Sequence, residues 1–149
     1  MKIAIGVGCR KGCASDSIVA LVRRALEGAG CAGAPAGLFS HPAKRHEDGL
    51  IQAAARLDLP LVFLDPDDLR EAADRALTRS RTVTAIFDLP SIAETAALAG
   101  AGAGSRLLAP RISAAGASCA IAEAFSTEAK TGSLEENAAG RNAEGRRDA

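Results

Sequence analysis

The sequence predicts an α/β fold: a mixed, mostly parallel sheet of about five strands with helices on both faces. Three observations predict it. Apolar strand-like runs alternate with segments of helical spacing through the first hundred residues, the rhythm of parallel strands joined by crossover helices. The chain has 149 residues, enough for one domain with a sizeable core. Near the end the rhythm breaks. Residues 106–109 (RLLA) and 118–125 (SCAIAEAF) are separated by too few residues for a parallel crossover, so they form an antiparallel hairpin and the sheet is mixed.

Taken in order, residues 2–7 (KIAIGV) read as a short apolar strand. Ile18, Leu21, Val22, Ala25 and Leu26 then recur at helical spacing, with Arg23, Arg24 and Glu27 turned away. Ser15 or Asp16 is placed to cap this helix, and Gly28 or Gly30 to end it. A weaker strand spans 36–40. Leu50, Ile51, Ala54 and Leu57 mark the inner face of a second helix that stops before Pro60. Residues 59–64 (LPLVFL) are the clearest strand by composition. Asp65-Pro66-Asp67-Asp68 opens a third helix with a cap, a first-turn proline and two acids at the positive end of the helix dipole. Residues 91–100 (SIAETAALAG) form a fourth helix opened by a capping box. Ser91 caps it, and Glu94 reaches back to the N-cap N–H. From Thr127 the chain is polar with one lone leucine. The expected organisation is a folded domain over 1–126 and a disordered tail over 127–149.

Charge and composition exclude several function classes. Basic and acidic residues balance at 18 each, so nothing global points to nucleic acid and any anion specificity must be local. No window approaches the ~20 apolar residues of a membrane span. Met-Lys-Ile-Ala-Ile-Gly reads as the start of a strand rather than a signal peptide, so the cytoplasm is the expected compartment. The four cysteines, Cys9, Cys13, Cys31 and Cys119, lack Cys-x-x-Cys or His-containing zinc spacing, and no metal is expected. Cys119, within an apolar run, reads as a small buried hydrophobe.

The segment GVGCRKGCAS, residues 6–15, follows the first strand and feeds a helix N-terminus. In an open α/β sheet, ligands bind where the loops gather at the carboxyl ends of the strands. Glycines there let backbone N–H groups face an anion, and Arg10 and Lys11 add formal charge. Gly8, Cys9, Arg10, Lys11 and Gly12 are therefore candidates for binding a carboxylate or phosphate. The nucleotide patterns fail: no Gly-Lys-Ser/Thr follows, and Lys11 stands where G-x-G-x-x-G needs its last glycine, so no cofactor is expected. No Gly-x-Ser-x-Gly elbow or Cys-His-Asp arrangement is present, and no catalytic residue is assigned. Cys9, beside Arg10 near a helix N-terminus, is placed for a lowered thiol pKa and reactivity, although no base accompanies it.

GVGCRKG after the first strand resembles the opening of the CobE family and of the C-terminal domain of CbiG, both from cobalamin biosynthesis. Ser40, Lys44 and Glu47, within SHPAKRHEDGLIQAAARLDLPLVFL, resemble that family's Ser…Lys…Glu segment leading into a Leu-Pro strand. LPSIAETAAL is similar to its Pro-Ser-Val-Ala-Glu-Ala-Ala-Leu helix start. LLAPRISAAGASCAIA is similar to its last hairpin, with Arg111 where lysine is usual. The resemblance covers about residues 3–122.

What the resemblance implies is a small three-layer α/β/α domain that handles a corrin-ring intermediate. CbiG-type proteins hydrolyse a lactone on the ring precursor, and in them this domain follows an N-terminal partner domain not found in this sequence. The chain therefore looks like CobE, with binding of a corrinoid or precorrin intermediate as the first expectation. Lactone hydrolysis, as in cobalt-precorrin-5A hydrolase, is the alternative. Implied partners are the corrinoid and other cobalamin-pathway enzymes. The resemblance adds Ser40, Lys44, Glu47, Ser91, Glu94 and Arg111 to the candidate substrate-binding residues. Each also has a local reading: a capping box for Ser91 and Glu94, a solvated ion pair for Lys44 and Glu47, and plain solvation for Arg111. His41 and His46 read as loop residues.

Overall fold

The computed structural model describes residues 3–30 and 35–124. The expected tail, Cys31, and the expected end of the last strand at Phe125 lie outside the described residues. Six strands, β1 (Ile3–Cys9), β2 (Pro35–Ser40), β3 (Leu61–Phe63), β4 (Arg106–Leu107), β5 (Ile112–Ala114) and β6 (Ala117–Glu123), form one sheet in the order β3-β2-β1-β6-β4, with β5 also paired to β6. Pairs β1–β2 and β2–β3 are parallel, whereas β6 is antiparallel to β1, β4 and β5. One strand, β6, thus runs against all the others. Five helices accompany them: α1 (Ser15–Ala29), α2 (Asp48–Arg56), α3 (Pro66–Ala72), α4 (Arg81–Phe87) and α5 (Ile92–Ala101).

The pleat of β1 divides the core. Ile3, Ile5, Val7 and Cys9 pack with Ile18, Leu21 and Val22 of α1 and Leu50, Ala53 and Ala54 of α2. On the other face, Ala4 joins Leu69 and Ala72 of α3 and Ala93, Ala96 and Ala97 of α5. The layers are helix, sheet, helix. At Gly6 a Cβ would fall inside the Ala93 carbonyl oxygen and the Ala97 amide nitrogen. Helix α5 therefore lies directly on the strand, and only glycine permits that approach.

Several sequence expectations are corrected. The first strand runs on to Cys9, because β6 pairs with it along its full length to Cys9↔Ala117. The N-cap of α1 is Ala14, with no side-chain cap; Ser15 and Asp16 sit inside the first turn and take hydrogen bonds from Arg56 Nη1 at 3.2 and 2.5 Å. The helix ends, as expected, at a left-handed Gly30. Ile51 is exposed rather than inward, since α2 has only nine residues and buries Leu50, Ala53 and Ala54. The run 59–64 yields only the three-residue edge strand β3. The third helix opens as read, with Asp65 accepting from the Asp67 N–H and Pro66 in its first turn. Helix α4 was not anticipated. Residues 106–109 and 118–125 do pair antiparallel, through β4 and β6, but part of the expected connector is itself β5. The tight turn is Ala115-Gly116, both at positive φ (52° and 84°), the geometry of a two-residue hairpin loop. No helix of the described residues is long and apolar enough to cross a membrane.

Candidate functional site

A cleft of about 580 Å³ opens at the carboxyl end of β1. Its floor is Gly8 and Cys9, and one wall is the β5–β6 hairpin from Ser113 to Ser118. The opposite wall is α4, through Thr82, Val83, Ile86 and Phe87, together with Ile92 and Ala93 at the start of α5. Four cations line it: Arg10, Lys11, Lys44 and Arg111. No carboxylate is among the described lining residues. The α4 side sets Val83, Ile86 and Phe87 beside the hydroxyls of Ser80 and Thr82; Ile86 is 66 % exposed, an uncovered aliphatic surface in a cleft rimmed by cations. Lys44 Nζ lies 5.6 Å from the centroid of the Phe87 ring, a cation–π approach that ties this cation to the α4 wall. His41 packs its ring against the same phenylalanine, 4.7 Å between centroids, and its Nδ1 accepts from the Ala43 N–H.

The glycine-rich loop contributes differently from the expectation. The Arg10 N–H donates to the Gly116 carbonyl at 2.8 Å, the Gly12 N–H to Glu47 Oε1 at 2.8 Å, and the Cys13 N–H to the Arg10 carbonyl at 3.1 Å. These amides are engaged within the protein, so an anion here meets the guanidinium and ammonium side chains. Gly12, at φ 78°, makes the reversal that brings its N–H to Glu47. Gly8 is a strand residue whose missing Cβ accommodates Ile92, which would otherwise stand 3.3 Å away.

The cleft thus gathers Gly8, Cys9, Arg10, Lys11, Lys44 and Arg111 of the sequence-read residues. The remaining five do not line it. The buried Ser40 hydroxyl donates to the Val7 carbonyl at 2.7 Å, joining β2 to β1. Glu47 holds the loop as described. Ser91 caps α5 by accepting the Glu94 N–H at 3.2 Å, but the reciprocal half of the box is not made. The Glu94 carboxylate, fully buried, turns outward from the helix instead. Its Oε1 accepts from Leu77 and Thr78 N–H at 3.0 and 2.8 Å, and its Oε2 from Arg111 N–H at 3.0 Å.

Cysteine chemistry is also corrected. Burial pushes the Cys9 thiol up to about 11, against the opposing pull of Lys44, with Cys13 and Glu47 adding to the rise. A buried thiol of that kind is a core residue rather than an activated nucleophile. Burial likewise raises Cys13, whose Sγ donates to the Ala115 carbonyl, and pushes Cys119 up to about 12. Among the described residues, no group of three or more His, Cys, Asp or Glu is gathered to hold a metal. The sequence reading missed Ser80, the α4 residues, and Ser113 and Ser118, whose hydroxyls are 2.8 Å apart across the hairpin. Ser80 carried a usable signal, since it caps α4 by accepting the Val83 N–H.

The family described as Cobalamin synthesis G C-terminus matches residues 3–122. Protein CobE from Sinorhizobium sp is 33% identical over 121 residues, covering 80% of this chain and 79% of that protein. The crystal structure of CobE, a protein from the cobalamin (vitamin B12) biosynthetic pathway, superposes with a TM-score of 0.76 at 36% identity, covering 83% of this chain and 90% of the other. Cobalamin biosynthesis protein chiG from Agrobacterium tumefaciens str. C58 gives a TM-score of 0.66 at 37% identity, covering 83% and 99%. A putative cobalamin biosynthesis protein G homolog from Sulfolobus solfataricus, at 20% identity and a TM-score of 0.54, shares the fold.

Proposed function

This chain belongs to the cobalamin synthesis G C-terminus family, in which CobE falls, and is a cobalamin biosynthesis protein; from that premise we propose that its cleft binds a corrin-ring intermediate. The observation that carries the reading is the pairing of four cations, without a described lining carboxylate, with a wall of exposed Ile86 and half-buried Val83 and Phe87. Corrin intermediates have the matching chemistry, an extended apolar ring system rimmed with acetate and propionate carboxylates. Arg10 and Arg111 offer planar guanidinium forks for carboxylates, and Lys11 and Lys44 offer point charges. Val83, Ile86 and Phe87 offer the ring a surface on which to shed water. A cleft of about 580 Å³ is in the range of small-molecule sites.

Lactone hydrolysis would need an activated nucleophile beside the bound ring. Cys9 is unsuited to that role by its burial, and the Ser113 and Ser118 hydroxyls face one another rather than an oriented base. The reading therefore favours binding without turnover. The test is to mix the purified protein with a late metal-free intermediate such as hydrogenobyrinic acid and pass it through gel filtration. A pigmented complex from which the ligand is recovered unchanged is the expected result. Release of a two-carbon fragment from a lactone-bearing precursor by this protein alone would assign hydrolysis instead. Loss of all pigment on the column would overturn binding.

A further inference from the structure

We propose that Glu94, although outside the cleft, is the residue that positions its α4 wall relative to the rim cation Arg111. The inference rests on the reading of the cleft as a corrinoid site. Glu94 is completely buried, and burying a carboxylate is costly unless its lone pairs are filled. Capping α5 does not require it, because Ser91 already does so. Its three acceptor bonds go instead to two segments outside α5: Leu77 and Thr78, which lead to α4, and Arg111, which is itself a lining cation. The N-terminal dipole of α5 and three charge-assisted bonds offset the burial.

The α4 wall depends on such fastenings. Helix α4 packs on the core through the partly buried Val83 and Phe87 but fully buries none of its residues. Hydrogen bonds therefore share with packing the work of holding it over the cleft. The hydrogen bonds are Ser80 N–H to the Pro90 carbonyl at 2.7 Å before the helix, Thr84 Oγ1 to the Leu89 carbonyl at 3.1 Å from its middle, and the Glu94 grip on Leu77 and Thr78 just upstream. The same carboxylate fixes the backbone from which Arg111 projects. One side chain thus sets the distance between the apolar wall and a rim cation.

Glu94→Gln tests this. The carboxamide oxygen stays with the two donors of Leu77 and Thr78, which leaves an NH₂ opposite the Arg111 N–H, where it cannot accept. Affinity for hydrogenobyrinic acid should fall about tenfold, the scale of one lost charge-assisted bond. Arg111→Ala should weaken binding and flatten its salt dependence, and Glu94→Gln should flatten it equally. The double variant should bind no worse than the weaker single one. Effects that multiply, or an affinity equal to wild type for Glu94→Gln, overturn the proposal while leaving the cleft reading intact. Failure of the wild-type protein to bind overturns both. Should Glu94→Gln not fold, amide exchange in the wild-type protein decides. The N–H groups of Leu77, Thr78 and Arg111 should gain protection together when hydrogenobyrinic acid is added; an Arg111 amide exchanging as fast as exposed loop amides would overturn the proposal.

Discussion

Strand β1 has two unlike faces. Toward α1 and α2 it presents Ile3, Ile5, Val7 and Cys9, each at most 7 % exposed, and is held by side-chain volume. Toward α5 it presents Ala4, Gly6 and Gly8, and is held by the nearness of a helix backbone. A face made of bulk loses stability when atoms are removed. A face made of close approach loses it when atoms are added. The cleft is built on the second, since Ile92 and Ala93 reach its wall only because α5 lies flat on the glycines. The cleft is seated where the strand has least to offer in side chains.

The largest effect should come from one added carbon on the glycine face. Gly6→Ala places a methyl group within the α5 backbone, which cannot rotate aside, and should cost on the order of 4 kcal/mol or more. Urea denaturation would read this as a lost or strongly shifted transition; a wild-type midpoint would break the comparison. On the opposite face, Ile5→Ala leaves a cavity against α1 and should cost about 2–5 kcal/mol with an unchanged denaturant slope.

A smaller effect is expected at the end of β2. Burial first, then Lys44 and Arg70, lower the pKa of His41 below its ordinary 6.5, so the folded state favours the neutral ring. Between that lowered value and 6.5 the unfolded chain binds a proton that the folded chain does not. The contribution to stability is therefore complete above pH 6.5 and is lost as pH falls through the folded value. His41→Asn keeps an acceptor for the Ala43 N–H and removes the titration. Its thermal midpoint should decline less than that of the wild type below pH 6.5, and parallel curves would discard the effect. The least change in stability belongs to the rim. Arg10→Ala with Lys11→Ala should leave the unfolding free energy within about 0.5 kcal/mol, because both side chains are exposed. Retention of hydrogenobyrinic acid on gel filtration should nevertheless be lost, and undiminished retention would remove these cations from the site.

Local periodicity made β1, α1 and α5 legible, and the short connection before β6 revealed the mixed sheet. Helix α4 escaped because it has only seven residues, so Val83, Ile86 and Phe87 make too short an apolar stripe to stand out, and its β-branched residues argue against a helix. The run 59–64 misled in the other direction, since β-rich composition does not reveal that a strand lies at an edge and pairs over only three residues. In the site, the cations of the loop were legible from their position after a strand. The fate of the loop amides was not, because Glu47 and Gly116 reach them across 35 and 106 residues of sequence. Glu94 shows the same limit. The spacing from Ser91 marked a helix start, but the partners of its carboxylate come from segments 16 and 17 residues away in sequence.

The lone reversed strand also shapes how the protein reaches its native state. The central strand is bordered on one side by β2, which follows soon after it, and on the other by β6, with Ile3 opposite Glu123. Until β6 arrives, β1 is an open edge whose alternate residues are Ile3, Ile5 and Val7. A long, apolar, unpaired edge is a template for pairing with other chains. Closing so distant a ladder is slow, because the loop entropy must be overcome before the contacts form. A nascent or truncated chain lacking β6 would therefore be the species most prone to aggregate, and docking of β6 is the step that removes the open edge.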